Sequence, residues 1–168
     1  MCAPQVIATV LRTGSRNRLS ELHVKCHVTC RGYVDAQPLA DVDLEAIARD
    51  ILAGAIARPE VSVDITDDTG KPLGSIGFGP LYPAEPGAPS GRWCMDFAGL
   101  AEDERWCLSG AGSATDYHWH VFFGGEIEVL DCCAMSLPEV LHAVRQCCLF
   151  GGRDTSLSWV DLEQAFNL

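Results

Sequence analysis

The sequence predicts an α+β domain in which an antiparallel sheet of about five to seven strands carries two main helices on one face. Two observations support this prediction. Several short segments alternate apolar and polar residues, which indicates half-buried strands. Two longer segments repeat apolar residues every three or four positions, which indicates amphipathic helices. The order along the chain, with a run of strands between the two helices, favours antiparallel pairing.

The length and composition indicate one globular domain spanning residues 1–168. At 168 residues, 48% of them hydrophobic and 21% charged, the chain can bury a sizeable core. The start, MCAPQVIATVLRTGSR, lacks the basic beginning and continuous apolar core of a secretory signal. Every apolar run is too short to span a membrane. We therefore expect a cytoplasmic protein with no membrane partner.

The first predicted elements are strands at residues 5–12 and 23–30. The second segment, HVKCHVTC, places two histidines and two cysteines within eight positions and raises the question of a metal site. A helix would align those four residues on one stripe, but one short helix surrounds a tetrahedral ion poorly and would leave the two valines unexplained. A strand explains the valines, because β-branching favours sheet. The side predicted to face inward is Val24, Cys26, Val28 and Cys30.

The middle of the chain begins with an amphipathic helix at residues 41–57, which has an acidic start and is closed by Pro59. Residues 60–66 alternate as a half-buried strand, and the turn DDTGKP leads into its hairpin partner. Further strands are predicted at residues 73–79, 92–98, 105–109 and 117–123.

The last third of the chain has the clearest start and stop signals. After a glycine turn, residues 124–132 extend as a strand. A helix over 136–152 opens with the capping-box pair Ser136 and Glu139, and two glycines end it. Residues 155–162 form the closing strand.

The charge is distributed unevenly. Residues 1–31 carry five basic side chains and one acidic side chain, whereas the remainder carries seven basic and twenty-two acidic ones. An acidic body attracts basic partners by long-range steering. It also repels nucleic acid, so we expect no direct nucleic-acid partner.

No catalytic residue, cofactor or metal ligand is predicted. The number of cysteines, nine, is odd, and the sequence shows no export signal. We therefore expect free, mostly buried thiols. In YHWH, His118 and His120 share one face of a strand, and we expect that face to meet solvent. The alternative is a small metal- or thiol-dependent enzyme that uses the His and Cys residues of segments 23–30 and 118–120.

The remaining candidate site is an acidic surface with aromatic side chains along its strands. Such a composition is typical of an interface built around a rigid aromatic anchor, although core tryptophans with a solvated acidic rim would look similar. The candidate contact residues are Asp67, Asp68, Glu102, Asp103, Glu104, Asp116, Tyr117, Trp119, Glu126 and Glu128.

The C-terminal stretch, residues 124–162, resembles a family of bacterial immunity proteins from polymorphic toxin systems. Members share a glycine turn, an extended segment, a helix introduced by a small polar residue, a basic residue and a strand with a late tryptophan. The corresponding positions here are Gly124-Gly125, Glu126 to Val129, Ser136 to Phe150, Arg153 and Trp159. Where members commonly carry proline after the basic residue, this chain has Asp154.

The resemblance covers residues 40–165, including the first helix and the strand pair at 60–79. Residues 1–35 lie outside it, and they either belong to the shared fold or form a β-hairpin added to it. The family is often paired with nucleic-acid deaminase toxins, and its members bind the cognate toxin and block its active site. The resemblance therefore implies that the candidate residues above contact a toxin domain with a basic surface. An adaptor subunit for another basic partner is a further alternative.

Overall fold

A computed structural model describes residues 23–88, 90–101 and 103–168. All strand pairs in these residues are antiparallel, so the predicted α+β class is confirmed, with nine strands where five to seven were expected. The predicted strand at 5–12 lies outside the described residues. In chain order the elements are β1 (Val24–Cys30), β2 (Val34–Pro38), α1 (Leu44–Leu52), β3 (Val61–Asp67), β4 (Pro72–Pro83), β5 (Arg92–Ala98), β6 (Arg105–Leu108), β7 (Tyr117–Phe122), β8 (Gly125–Leu130), α2 (Leu137–Phe150), β9 (Trp159–Asp161) and α3 (Leu162–Ala165).

The main sheet has the strand order β2-β1-β3-β4-β5-β6-β9. Strand β4 is 12 residues long and pairs with three strands, β3, β5 and β7. Its earlier part pairs with β5, whereas Tyr82 and Pro83 at its end pair with Val121 and His120 of β7. The β7–β8 hairpin therefore branches from the end of β4.

One face of the main sheet, the helix-covered face, forms the larger core with α1 and α2. Its register places Val28 of β1 opposite Val63 of β3, and Val63 opposite Ile76 of β4. These three side chains are 1% exposed or less. Ile47 of α1 and Val144 of α2 belong to the same cluster, so both main helices pack on this one face.

Helix α1 is shorter than the predicted 41–57. The Asp43 carboxylate caps its start by accepting a hydrogen bond from the Ala46 backbone N–H at 3.0 Å. The helix ends at Leu52 because Gly54 adopts a left-handed backbone conformation, with φ +72°. Leu52, which the periodicity placed on the buried face, is 56% exposed. The apolar repeat beyond Leu52 is therefore not helical.

Helix α2 follows its predicted signals closely. The capping box between Ser136 and Glu139 is present, and Gly151 closes the helix at φ +67°. The acceptor role of the Glu139 carboxylate toward Ser136 lowers its pKa.

Strand β1 has the predicted orientation. Val28 and Cys30 are fully buried in the larger core, whereas Lys25 is exposed. The strand pairs along its whole length with β3 and also with β2, so residues 24–30 are an integral part of the main sheet. Strand β2 was not predicted, because VDAQP has no apolar alternation.

The opposite side, the hairpin-covered face, carries a second and smaller core. It contains Cys94 of β5, Cys107 of β6 and Leu130 of β8, all 2% exposed or less. Ala165 and Phe166, in and after α3, close this core. The β7–β8 hairpin and α3 are thus held against the sheet from the side that lacks the main helices.

Candidate protein-binding surface

The β7–β8 hairpin turns through Phe123 and Gly124, whose φ angles are +50° and +83°. Positive φ at both central positions is typical of a type I′ turn, where asparagine or glycine is usual and a phenylalanine is unfavourable. The Phe123 ring stacks on Phe122 with a centroid distance of 3.8 Å. It also lies so close to Gly79 that a Cβ there would be 2.7 Å from its Cε1 atom. Packing on the sheet therefore holds the hairpin tip in place.

One face of the hairpin points to solvent. Trp119 lies opposite Glu128, Val121 lies opposite Glu126, and Tyr82 of β4 lies opposite Val121. Because directly opposed residues share a face, these five side chains form one surface, which we call the hairpin surface. Tyr82 and Trp119 are each 42% exposed, which is a large exposed area for aromatic residues.

The hairpin surface lies in a part of the chain without lysine or arginine. Residues 106–144 contain five acidic side chains and no lysine or arginine, and residues 154–168 contain three acidic side chains and again no basic one. Strand β4 is also free of charged residues. The strands that form the hairpin surface therefore contribute only negative charge to it, and Arg92, opposite Leu81 on β5, is a basic residue beside its β4 end.

The C-terminal segment fixes the hairpin. The Tyr117 hydroxyl donates a hydrogen bond to the Gln164 carbonyl at 2.7 Å. The Asn167 side-chain amide donates to the carboxylate of Glu128. The outer edge of β8 is thus tied to α3, and the carboxylate and aromatic groups are held before any partner binds.

The two histidines of YHWH do not face solvent as predicted. His120 is fully buried, and neither of its ring nitrogens has a hydrogen-bond partner in the described residues. His118 is half-buried opposite Val129, which belongs to the second core. The alternation identified the two faces of β7 correctly, but the face that carries Trp119 is the outer one. Burial and the nearby His118 lower the pKa of His120.

The predicted contact residues form two separate groups rather than one surface. Asp116, Tyr117, Trp119, Glu126 and Glu128 lie in or beside the β7–β8 hairpin, and Asp67, Asp68, Asp103 and Glu104 lie in the β3–β4 and β5–β6 turns. Those turns adjoin the start of β4, whereas the hairpin pairs with its end. At about 3.3 Å per residue along β4, the hairpin lies roughly 30 Å from the β3–β4 turn and roughly 25 Å from the β5–β6 turn, which adjoins Ser75. Glu102 lies outside the described residues.

Asp67 and Asp68, at the β3–β4 turn, make hydrogen bonds close to that turn. The Asp67 carboxylate accepts hydrogen bonds from the backbone N–H groups of Thr69 and Lys71, each at 2.9 Å. The Thr69 hydroxyl bond and these backbone bonds lower the pKa of Asp67. The Asp68 carbonyl accepts a hydrogen bond from the Lys25 ammonium at 2.8 Å. Asp67 therefore stabilises its own turn.

The sequence reasoning missed Tyr82 and Val121 of the hairpin surface. Tyr82 lies in the segment GPLYPAEPGAPSG, whose prolines and glycines predicted a loop. The structure instead continues β4 to Pro83. The alternation of apolar and small residues stops at Gly79, so the sequence contains no periodic signal for the last four residues of the strand.

The thiols of the described residues are free and mostly buried. All eight cysteines in the described residues are free, and seven of them are buried. The Sγ atoms of Cys94 and Cys107 are 3.4 Å apart in the second core. Burial raises the pKa values of Cys132 and Cys147 to about 11, so both stay protonated at neutral pH.

No metal site is apparent in the part of the chain that the structure describes. No group of three or more His, Cys, Asp or Glu side chains there lies close enough to hold an ion. Neighbouring residues Cys26 and His27 in HVKCHVTC lie on opposite faces of β1.

A small cavity of about 200 Å³ beside the start of α2 also offers little for ligand binding. Its lining includes Arg92, Asp131 and Glu139. Asp131 already accepts a hydrogen bond from the Ser113 backbone N–H at 2.9 Å, and Glu139 caps α2. Two of the three charged side chains therefore have structural partners.

A partly buried carboxylate, Asp96, lies on the hairpin-covered face, opposite Cys107 of β6. Its Oδ1 atom would be 2.6 Å from a Cβ on Gly77, so the glycine provides the space for it. Burial raises the pKa of Asp96 to about 6, and the positive charge of Arg105 opposes that rise.

A comparison with protein-family models, curated proteins and solved structures finds no match to this chain. Among the helices of the described residues, none combines the length and the apolar character needed to cross a membrane.

Proposed function

We propose that the protein is an immunity protein that binds a cognate bacterial toxin in the cytoplasm and blocks its active site. The observation that carries the proposal is the hairpin surface: exposed Tyr82 and Trp119 beside Glu126 and Glu128, on strands that contain no lysine or arginine. The toxin class that best suits this surface targets nucleic acid, as a deaminase does.

The electrostatic argument concerns what such a toxin must present. An enzyme that acts on nucleic acid needs a basic channel to hold phosphates. An acidic surface complements that channel, raises the rate of association and excludes the substrate by occupying its place. Neither a cofactor nor a chemical step is required for this inhibition.

The aromatic residues provide the binding energy that charge alone does not. Interfaces depend on a few well-packed aromatic or arginine side chains, surrounded by contacts that exclude water. Trp119 suits this role, because it is exposed, opposite Glu128, and part of a hairpin that the C-terminal segment holds in place. A rigid anchor loses little conformational entropy on binding.

Co-expression with a toxin encoded next to the gene for this protein tests the proposal. Cells carrying the wild-type protein should survive, whereas the double variant Trp119→Ala/Glu126→Lys should fail to protect them. The matched control is Asp68→Lys/Asp103→Lys, which reverses two exposed charges at the opposite end of β4 and should still protect. Protection by the first variant together with failure of the control would overturn the assignment of the surface. Failure of the wild-type protein against every neighbouring candidate would overturn the function.

A further inference from the structure

We propose that the hairpin surface binds an arginine side chain of the partner, with the guanidinium stacked on the Trp119 ring and paired with the carboxylates of Glu126 and Glu128. This inference rests on the proposed function, because it concerns the same surface. It names the chemical group that the surface selects.

The strand register brings the required groups together. Trp119 and Glu128 are directly opposed on β7 and β8. Their Cβ atoms are therefore about 5 Å apart, and Glu126 lies two positions along the same face, at about 7 Å. One guanidinium over the indole ring can reach both carboxylates.

The protein contains an internal example of this contact. The guanidinium of Arg153 lies over the ring of Trp106, 4.0 Å from its centroid. Trp119 has the same ring, is 42% exposed, and has no lysine or arginine over it in the described residues. The nearby sequence also supplies none, because residues 106–144 contain no basic side chain except histidine. The ring face of Trp119 is thus open to a cation from outside.

The geometry favours arginine over lysine. A guanidinium is planar and weakly hydrated, so it can stack on an indole and still donate hydrogen bonds from its edge to carboxylates. A lysine ammonium holds its water more strongly and has no flat face. The bond from Asn167 to one oxygen of Glu128 orients the carboxylate and leaves its other oxygen for the partner.

Binding of poly-arginine and poly-lysine peptides of equal length tests the inference, with isothermal titration calorimetry at matched ionic strength. The wild-type protein should bind the arginine peptide about two- to fivefold more tightly. Trp119→Ala should remove this preference, and Trp119→Phe should retain part of it. Glu126→Gln/Glu128→Gln should weaken both peptides. The matched controls are Tyr33→Ala, an aromatic residue that is 51% exposed elsewhere, and Asp68→Asn/Asp103→Asn; both should keep the preference.

Equal affinity for the two peptides, or an arginine preference that persists in Trp119→Ala, would overturn the inference. Circular dichroism confirms that each variant is folded before the peptides are compared. The two proposals fail separately. If the wild-type protein prefers arginine but neutralises no toxin, only the proposed function is contradicted. If Trp119→Ala still neutralises the toxin and the wild-type protein shows no peptide preference, only the arginine site is contradicted.

Discussion

The two faces of the main sheet are built differently. On the helix-covered face, β-branched and aromatic residues from four strands meet two helices with regular ends, and Val28, Val63 and Val61 are fully buried. On the hairpin-covered face, the core is smaller, rich in cysteine, and closed by a hairpin whose turn contains Phe123 at positive φ. Both faces exclude water, but the hairpin-covered face is closed by an element with several unfavourable local features.

Three unfavourable features lie together in the β7–β8 hairpin. Phe123 adopts a left-handed conformation, the buried His120 has no hydrogen-bond partner in the described residues, and Trp119 is exposed. Each of these features is unfavourable for folding. Features that cost stability tend to persist where function requires them, which supports the role proposed for the β7–β8 hairpin.

The largest expected effect is the loss of stability when a buried side chain is truncated on either face of the sheet. Phe78→Ala on the helix-covered face should lower the free energy of unfolding by about 3–5 kcal/mol, because it removes a buried ring packed beside Trp93. Leu130→Ala in the second core should cost about 2–5 kcal/mol. Urea denaturation measures both, with the exposed Leu52→Ala as the control, for which a change below about 0.5 kcal/mol is expected. A loss below about 1 kcal/mol for Leu130→Ala would show that the hairpin is only loosely attached.

Much of the helix-covered face could be predicted, because its signals are local. The capping box at Ser136 and Glu139 requires only residues three positions apart, and the glycine stop follows directly. The alternation in β1 correctly placed Val28 and Cys30 inward. Each of these predictions depends on apolar alternation or on helix-capping residues, and both are signals that span only a few positions.

The hairpin-covered face depends on contacts between segments that are distant in sequence. The spacing of apolar residues along the chain cannot predict such contacts. The alternation in β7 separates His120 from Trp119, but the choice of inner face is made by what packs on the hairpin. The close approach of Phe123 to Gly79 joins segments more than forty positions apart. The predicted end of helix α1 was wrong for a local reason. The apolar repeat continues past Gly54, but the backbone leaves the helix at that glycine.

The next effect tests how the hairpin tip is held. Gly79→Ala should lower the free energy of unfolding by about 1–3 kcal/mol, because its Cβ would be 2.7 Å from the Phe123 ring and 2.9 Å from the Pro59 carbonyl oxygen. The Pro59 oxygen belongs to the backbone and cannot easily move. The matched control is Gly125→Ala in the same hairpin, where the nearest atom is at an ordinary 3.9 Å. Equal losses in the two variants, measured by thermal and urea unfolding, would contradict the role of the Gly79 contact.

A smaller effect is the pH dependence of stability that Asp96, on the hairpin-covered face, contributes. Its pKa is raised to about 6 in the folded protein, so between pH 4 and 6 the folded state retains a proton that the unfolded state releases. Stability from this group therefore falls as the pH rises through that window. Asp96→Asn should increase the free energy of unfolding by about 1–2 kcal/mol at pH 8 and leave it nearly unchanged at pH 4.

The difference between variant and wild type isolates Asp96 from other titrating groups. His120 acts in the opposite direction, since burial lowers its pKa and acid then favours the unfolded state. That contribution is common to both proteins and cancels. A gain for Asp96→Asn of the same size at pH 4 and pH 8 would show that the carboxylate charge is not its cause.

The smallest expected effect returns to the helix-covered face. Arg145 of α2 pairs with Glu45 of α1 at the surface, where both side chains are about half exposed, and the pairing lowers the pKa of Glu45. Solvent screens such a pair, so Arg145→Ala should cost less than about 1 kcal/mol, and added salt should reduce the loss further. Arg49→Ala, which removes an exposed charge from α1 without breaking this pair, provides the baseline in urea denaturation at low and high salt. A loss of several kcal/mol for Arg145→Ala would mean that this one ion pair, rather than the apolar contacts beneath it, holds the two helices together, and the contrast between the two faces would then fail.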